Sequence, residues 1–179
     1  MKKVALMGFG LMVVSAAANA ISINGSAGQD YTHLGFGMGT ETSGLAMTGG
    51  WTHNDDDGDA ASLGLGLNVP MGPFLATVGG IGIYTNPNDG DEGYAAAVGG
   101  GLQWKIGDSF GLFGEYYYSP DSLSSGIDSY EEANAGARWT IMRPITIEAG
   151  YRYLNLAGKD GNRDNALADG PYVGVSAGF

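Results

Sequence analysis

Pro171-Tyr172-Val173-Gly174-Val175-Ser176-Ala177-Gly178-Phe179 sets Val173, Val175, Ala177 and Phe179 on one side of an extended chain, and Tyr172, Gly174, Ser176 and Gly178 on the other. Alternation of apolar with small or amphipathic residues is the mark of a strand with one lipid- or core-facing side. A strand that ends on an aromatic at the apolar parity reads as the closing strand of a bacterial outer-membrane β-barrel, with Phe179 as the signal for the barrel assembly machinery. Ala177 is small for its place in such an end, so the reading leans on the rest of the chain.

The opposite end agrees with it. Lys2 and Lys3 precede an apolar run from Val4 to Ala17, and Ala18-Asn19-Ala20 forms an Ala-x-Ala cleavage site, which together make a secretory signal peptide over residues 1–20. The run is shorter than the ~20 residues a helix needs to cross a bilayer, and no later segment is longer. Residues 21–179 are then one exported domain. Without Lys2 and Lys3 it carries six Lys+Arg against nineteen Asp+Glu, a net charge of −13 that excludes nucleic acid as a partner. With no Cys, an exported chain has no disulfide framework. The 33 Gly have no collagen period, and strands with small side chains on one face account for them.

Read in period 2, the chain yields ten strands, which makes the fold all-β: a transmembrane, antiparallel, up-and-down barrel. Leu63, Leu65, Leu67 and Val69 alternate with Ser62, Gly64, Gly66 and Asn68 most cleanly. Phe74, Ala76 and Val78 change parity to Ile81 and Ile83 across Gly79-Gly80, which predicts a β-bulge there. Short turns, such as Pro70–Pro73 and Met142–Pro144, alternate with longer loops at 53–59, 86–93, 119–132 and 155–170. Strands of nine or ten residues at ~3.3 Å, tilted ~45°, span roughly 21–24 Å, the height of an outer-membrane apolar band. Periplasmic termini require an even number, and loss of the first hairpin would give eight. Trp51, Tyr84, Tyr94, Tyr116, Tyr118, Tyr151 and Tyr153 near the loops, and Phe74, Trp104, Phe110, Trp139 and Phe179 near the turns, form two aromatic girdles. A soluble barrel or sandwich would share the period but needs neither girdles nor a terminal Phe.

The strand face opposite the lipid holds Glu115, Arg138, Glu148 and Arg152. Counted from the turns, the first three lie at one depth, an interior Glu-Arg-Glu network with Arg152 above it. A narrow lumen neutralises buried charge by pairing, so the expectation is a salt-bridge plug and a structural envelope protein. The alternative is a narrow porin-like channel for small polar solutes, passing the Gly, Ser and Ala that line strands two, four, six and ten. Acidic residues gather in the loops that face the cell exterior, where shared divalent cations would hold them to lipopolysaccharide. Asp55, Asp57 and Asp59 have the spacing of a calcium loop, but Gly58 is misplaced for one and the distant Glu is missing. A lipid-modifying enzyme or protease is a further alternative. Its base would be His33, pointing inward, or His53, whose pKa the aspartates 55–59 would raise, within reach of a Ser and a carboxylate. No cofactor is implied, and a monomer is expected.

Gly39-Thr40-Glu41-Thr42-Ser43-Gly44-Leu45, the stretches Trp51 to Asp59 and Asp89 to Trp104, and Lys159 to Val175 around Asn162-Arg163-Asp164-Asn165 resemble the YfaZ family of enterobacterial outer-membrane proteins. The resemblance covers the whole mature chain. It implies an exported barrel in the outer membrane and brings no substrate or catalytic residue with it.

Overall fold

The computed structural model describes residues 21–179, so the leader read at 1–20 lies outside the described residues. The strands are β1 (Ile21–Gly28), β2 (Tyr31–Met38), β3 (Gly44–Asn54), β4 (Gly58–Met71), β5 (Phe74–Pro87), β6 (Gly93–Ile106), β7 (Phe110–Ser119), β8 (Ser124–Ser125), β9 (Ser129–Met142), β10 (Ile145–Ala157) and β11 (Asn165–Gly178). All but β8 join one antiparallel ring, closed by β5 on β6 and by β1 on β11, and this is the ten-stranded barrel. β8 pairs with β6 above the last β6–β7 pair, through Ser125 opposite Tyr94 and Ser124 opposite Ala95. Ring closure leaves no open edge along the height that β1 and β2 reach, the only way a sheet satisfies its backbone in hydrocarbon.

Outward positions carry the large apolar side chains, with Leu45 71% and Val78 70% exposed and Leu63, Leu65, Leu67, Val98, Val173 and Val175 exposed around them. So broad an apolar belt on a protein surface requires lipid against it. Exposed Trp51, Tyr84, Tyr94, Tyr116, Tyr118 and Tyr151 border it at the long-loop end, and Trp104, Phe110, Trp139 and Phe179 at the short-turn end. The two girdles are present.

Three sequence expectations are corrected. Pairing runs unbroken through Gly79 and Gly80 on both sides of β5, so no bulge forms there. Ile81 and Ile83 do not rejoin the lipid face but turn inward and are buried. The register shifts fall instead at Ile145/Thr146 and Leu154/Asn155, and the second lets the consecutive residues Leu167 and Ala168 both face the interior. Finally, the loops are shorter and the strands longer than predicted, up to fourteen residues, so that Asp59, Glu131, Glu132 and Asp169 lie on strands.

The ring is uneven in height. β1 and β2 have eight residues each, and above their hairpin β3 reaches β11 directly, Asn54 Nδ2 donating to the Leu167 carbonyl at 3.3 Å. Tyr31 fills the space beneath, its ring occupying the place a side chain on Gly28 would need.

Candidate functional site: the lumen and the acidic rim

The lumen has a dry half and a wet half. Towards the long loops, the inward residues of the strands are Tyr31, Ile81, Ile83, Tyr130, Leu154, Leu156 and Leu167, packed into one buried cluster. Ile127, from the connection before β9, is buried in the same cluster and roofs it. Leu156 and Leu167 have no exposed surface at all. Polar groups within it are few, the Tyr31 and Tyr130 hydroxyls with Thr85, Ser119 and Asn165 at its edge, so the layer offers water and ions little to bind.

Arg138, Glu148, Glu115 and Arg152 lie beneath this layer, and Glu132 lies level with it, opposite Leu154. Arg138 Nε donates to Glu148 Oε2 at 3.1 Å, and its guanidinium rests on the Phe113 ring, 4.1 Å from the centroid. The predicted network breaks at Glu115. Its partner is Asn134, whose Nδ2 donates to Glu115 Oε1 at 2.9 Å, and Asn134 is also the residue opposite Arg152. Counting from the turns failed because neighbouring strands of a barrel are staggered by its shear: Phe110 at the foot of β7 pairs with Trp139, not with Met142. Arg152 is 5% exposed; the Tyr172 ring lies 5.2 Å from its guanidinium carbon, and Nε and Nη1 have no hydrogen-bond acceptor. Glu132, read as a loop residue, points inward from β9 and accepts from the Tyr130 hydroxyl at 2.6 Å. The β parity of 130, 132, 134 and 138 was the signal that would have found it.

The wet half is lined by Ser22, Asn24, Thr48, Ser62 and Thr77 beside glycines of β2, β4 and β6. Its mouth is narrowed by the turn between β2 and β3. Gly39 (φ 66°) and Gly44 (φ 105°) bracket that turn in the left-handed region that glycine tolerates. Buried Asn68 donates from Nδ2 to the carbonyls of Gly39 (2.9 Å) and Thr42 (2.8 Å) and accepts from Thr77 Oγ1 at 2.6 Å. Gln103 Nε2 on β6 donates to the Thr40 carbonyl at 2.9 Å, and Lys105 pairs with Glu41 at 3.2 Å, so the turn reaches across the mouth. Neither Asn68 nor Gln103 was singled out in the sequence.

At the long-loop rim, girdle aromatics donate to carboxylates: Trp51 to Asp59 (3.0 Å), Tyr84 to Glu92 (2.6 Å), Tyr116 to Glu131 (3.0 Å) and Tyr151 to Asp169 (2.6 Å). The loops are tied over the top by Arg163, which reaches Asp57 Oδ1 at 3.0 Å, the Asp56 carbonyl at 3.1 Å and Asp89 Oδ2 at 3.6 Å. Lys159 pairs with Asp121. The three aspartates of the suspected calcium loop diverge: Asp55 and Asp59 bond the two nitrogens of His53, at 3.1 and 2.9 Å, while Asp57 belongs to Arg163. No group of three acidic or histidine side chains converges on a metal position among the described residues. His33 bonds the Thr52 hydroxyl at 2.9 Å, and His53 is stacked on Trp51 with ring centroids 5.5 Å apart. Neither makes the Ser-His-carboxylate arrangement among the described residues. Phe179 is 76% exposed beside the seam, its N–H donating to the Ile21 carbonyl at 2.8 Å and its carbonyl accepting from Ile21 N–H at 3.0 Å.

A family model described as YfaZ precursor matches residues 1–179. The chain belongs to the YfaZ family. The outer membrane protein YfaZ of Escherichia coli (strain K12) is 77% identical over 180 residues, with all of both chains covered. This YfaZ barrel is accordingly an outer-membrane protein, made as an exported precursor. Among solved structures, it is similar to the transport unit of the autotransporter AIDA-I from Escherichia coli, at 13% identity and a TM-score of 0.44, covering 98% of this chain and 94% of that one. A chain solved in work on in-meso crystallization of membrane proteins gives 13% identity and a TM-score of 0.40, covering 90% of this chain and 83% of that one. The turn Gly39–Leu45 and the segment around Arg163, two stretches on which the YfaZ resemblance rests, are the elements that strap the mouth and tie the loops.

Proposed function

We propose that this protein is a structural, non-enzymatic and monomeric component of the outer membrane, closed to solutes, which works through its acidic long-loop surface. The observation that carries the proposal is the buried apolar cluster from Tyr31 to Leu167, roofed by Ile127. The expected plug was a salt bridge, and Arg138–Glu148 contributes to it, but the barrier is the dry layer above.

The rim carboxylates Asp59, Glu92, Glu131 and Asp169 are held at the level of the girdle by aromatic donors. With the long loops facing outwards, that is the level of lipopolysaccharide phosphates, and divalent cations would bridge the two sets of anions. Outer-membrane lipid is then the principal partner, with the barrel assembly machinery engaging the strand that ends at Phe179.

Single-channel recording of the refolded mature protein in a planar bilayer tests the closed lumen. Wild type and Arg138→Ala are both expected to be silent after verified insertion, because the dry layer is untouched. Steady openings that Arg138→Ala alters would overturn the proposal in favour of a narrow channel.

A further inference from the structure

The wet half of the lumen is a cavity of about 200 Å³, blind at the dry layer and continuous with the short-turn mouth, since Ser22, Thr40, Gln103, Arg138 and Ser176 line both. That is room for several waters or one small organic molecule. Its blind end holds opposite charges that do not meet. Arg152, nine-tenths buried, lines the cavity while Nε and Nη1 lack an acceptor. Glu132 and Glu115 line the same space, each receiving a single side-chain hydrogen bond, from Tyr130 and Asn134. A carboxylate can accept about four, and a guanidinium offers five donors.

Glu132 stands one strand from Arg152, opposite Leu154, and Glu115 is kept from Arg152 by Asn134. Asn134 stands opposite both Arg152 on β10 and Glu115 on β7, so those two are separated by the whole width of β9, roughly 9–10 Å between their backbones. Its amide is already engaged, donating to Glu115 and accepting from Tyr172 at 3.0 Å. Pairing Arg152 with Glu115 across it would require both ends to desert the wall. A buried guanidinium whose Nε and Nη1 lack acceptors calls for an oxyanion, and two under-used carboxylates nearby call for a cation, so neither a simple anion nor a simple cation satisfies the cavity.

We propose that the cavity binds a small zwitterion of amino-acid size, its carboxylate on Arg152 and its ammonium between Glu115 and Glu132, admitted from the short-turn side past Arg138–Glu148. The blind end rests on the closed-lumen reading; the charge arrangement does not.

Calorimetric titration of the refolded mature protein in detergent tests this, with free glycine as the probe and acetate, methylamine and glycerol as fragments and control. Glycine is expected to bind at least tenfold more tightly than acetate or methylamine, and glycerol not at all. Glu115→Gln, whose carbonyl still accepts from Asn134, and Arg152→Gln are each expected to weaken glycine tenfold or more. Absence of glycine binding overturns the proposal, as does acetate binding as tightly as glycine. If Arg152→Gln does not fold, Glu115→Gln decides alone, and undiminished affinity in it overturns the proposal. Silent membranes with no glycine binding sink the pocket and spare the closed lumen; conducting membranes with glycine binding do the reverse.

Discussion

Replacing Asn68 by alanine should loosen the short-turn mouth without touching the fold's apolar layers. Asn68 is 3% exposed and makes three hydrogen bonds, two to carbonyls of the β2–β3 turn and one from Thr77. At a net ~1 kcal/mol per bond, the loss is about 3 kcal/mol, near a hundredfold in the folding equilibrium. The cavity alongside lets water reach the abandoned carbonyls, which keeps the loss at this level rather than at the larger cost of sealed unpaired groups. Guanidinium titrations of folded protein in detergent measure it. Thr77→Val shares one of the bonds, so the double variant should recover about 1 kcal/mol relative to the sum of the singles. Asn68→Asp, which keeps the acceptor for Thr77 but sets a carboxylate oxygen against both carbonyls, should lose at least as much as Asn68→Ala. A loss under ~0.5 kcal/mol in Asn68→Ala, or no coupling to Thr77, would refute the strap as a hydrogen-bonded element.

Other perturbations separate the remaining layers. Leu156→Ala and Leu167→Ala, at sites with no exposed surface, should each cost about 3 kcal/mol in the same titration, against less than half that for lipid-facing Leu65→Ala, where acyl chains refill the space. Arg138→Met should destabilise by ~1–2 kcal/mol, discounted because a third of its side chain is exposed, whereas Arg138→Met with Glu148→Met should return to within ~1 kcal/mol of wild type. Arg163→Ala should leave stability within ~1 kcal/mol but raise the rate of limited proteolysis at Asp55–Asp57 several-fold. Gly79→Val should block folding, read as loss of the heat-modifiable band on a gel, because a Cβ there meets the Leu65 carbonyl oxygen at 2.3 Å.

The sequence was most legible where the two faces of a strand differ most. Leu63 to Val69 and the stretch from Val98 to Trp104 carry large apolar residues against small or polar ones because one side meets lipid and the other the wet half of the lumen. In the dry half both sides are apolar, and the alternation fades. That is why Ile81 and Ile83 look like a phase slip needing a bulge, and why Leu156 and Leu167 read as loop residues. Parity correctly sent Glu115, Arg138, Glu148 and Arg152 inward, but depth depends on stagger, which no turn count contains. Glu132 is hidden for a related reason: the regular alternation of β9 shows only from Ala133 onwards, although the strand begins at Ser129. Asn68 was visible as the one amide in a run of Ser and Gly, yet its partners are 26 and 29 residues away in a turn.

The uneven height of the wall gives the barrel a mechanical polarity. The seam between β1 and β11 has seven residue pairs, as few as any in the ring, whereas β10 and β11 share twelve, so tension applied at Ile21 and Phe179 would be borne first by a short zip. Peeling from that end would run towards Gly28 and Tyr172 and then meet Asn54 on Leu167 and Arg163 on Asp57, contacts that join β3 to β11 and loop to loop over the hairpin. The seam therefore opens like a jacket still buttoned at the collar: detaching the first hairpin leaves the two shoulders of the barrel fastened to each other, ready to guide it back.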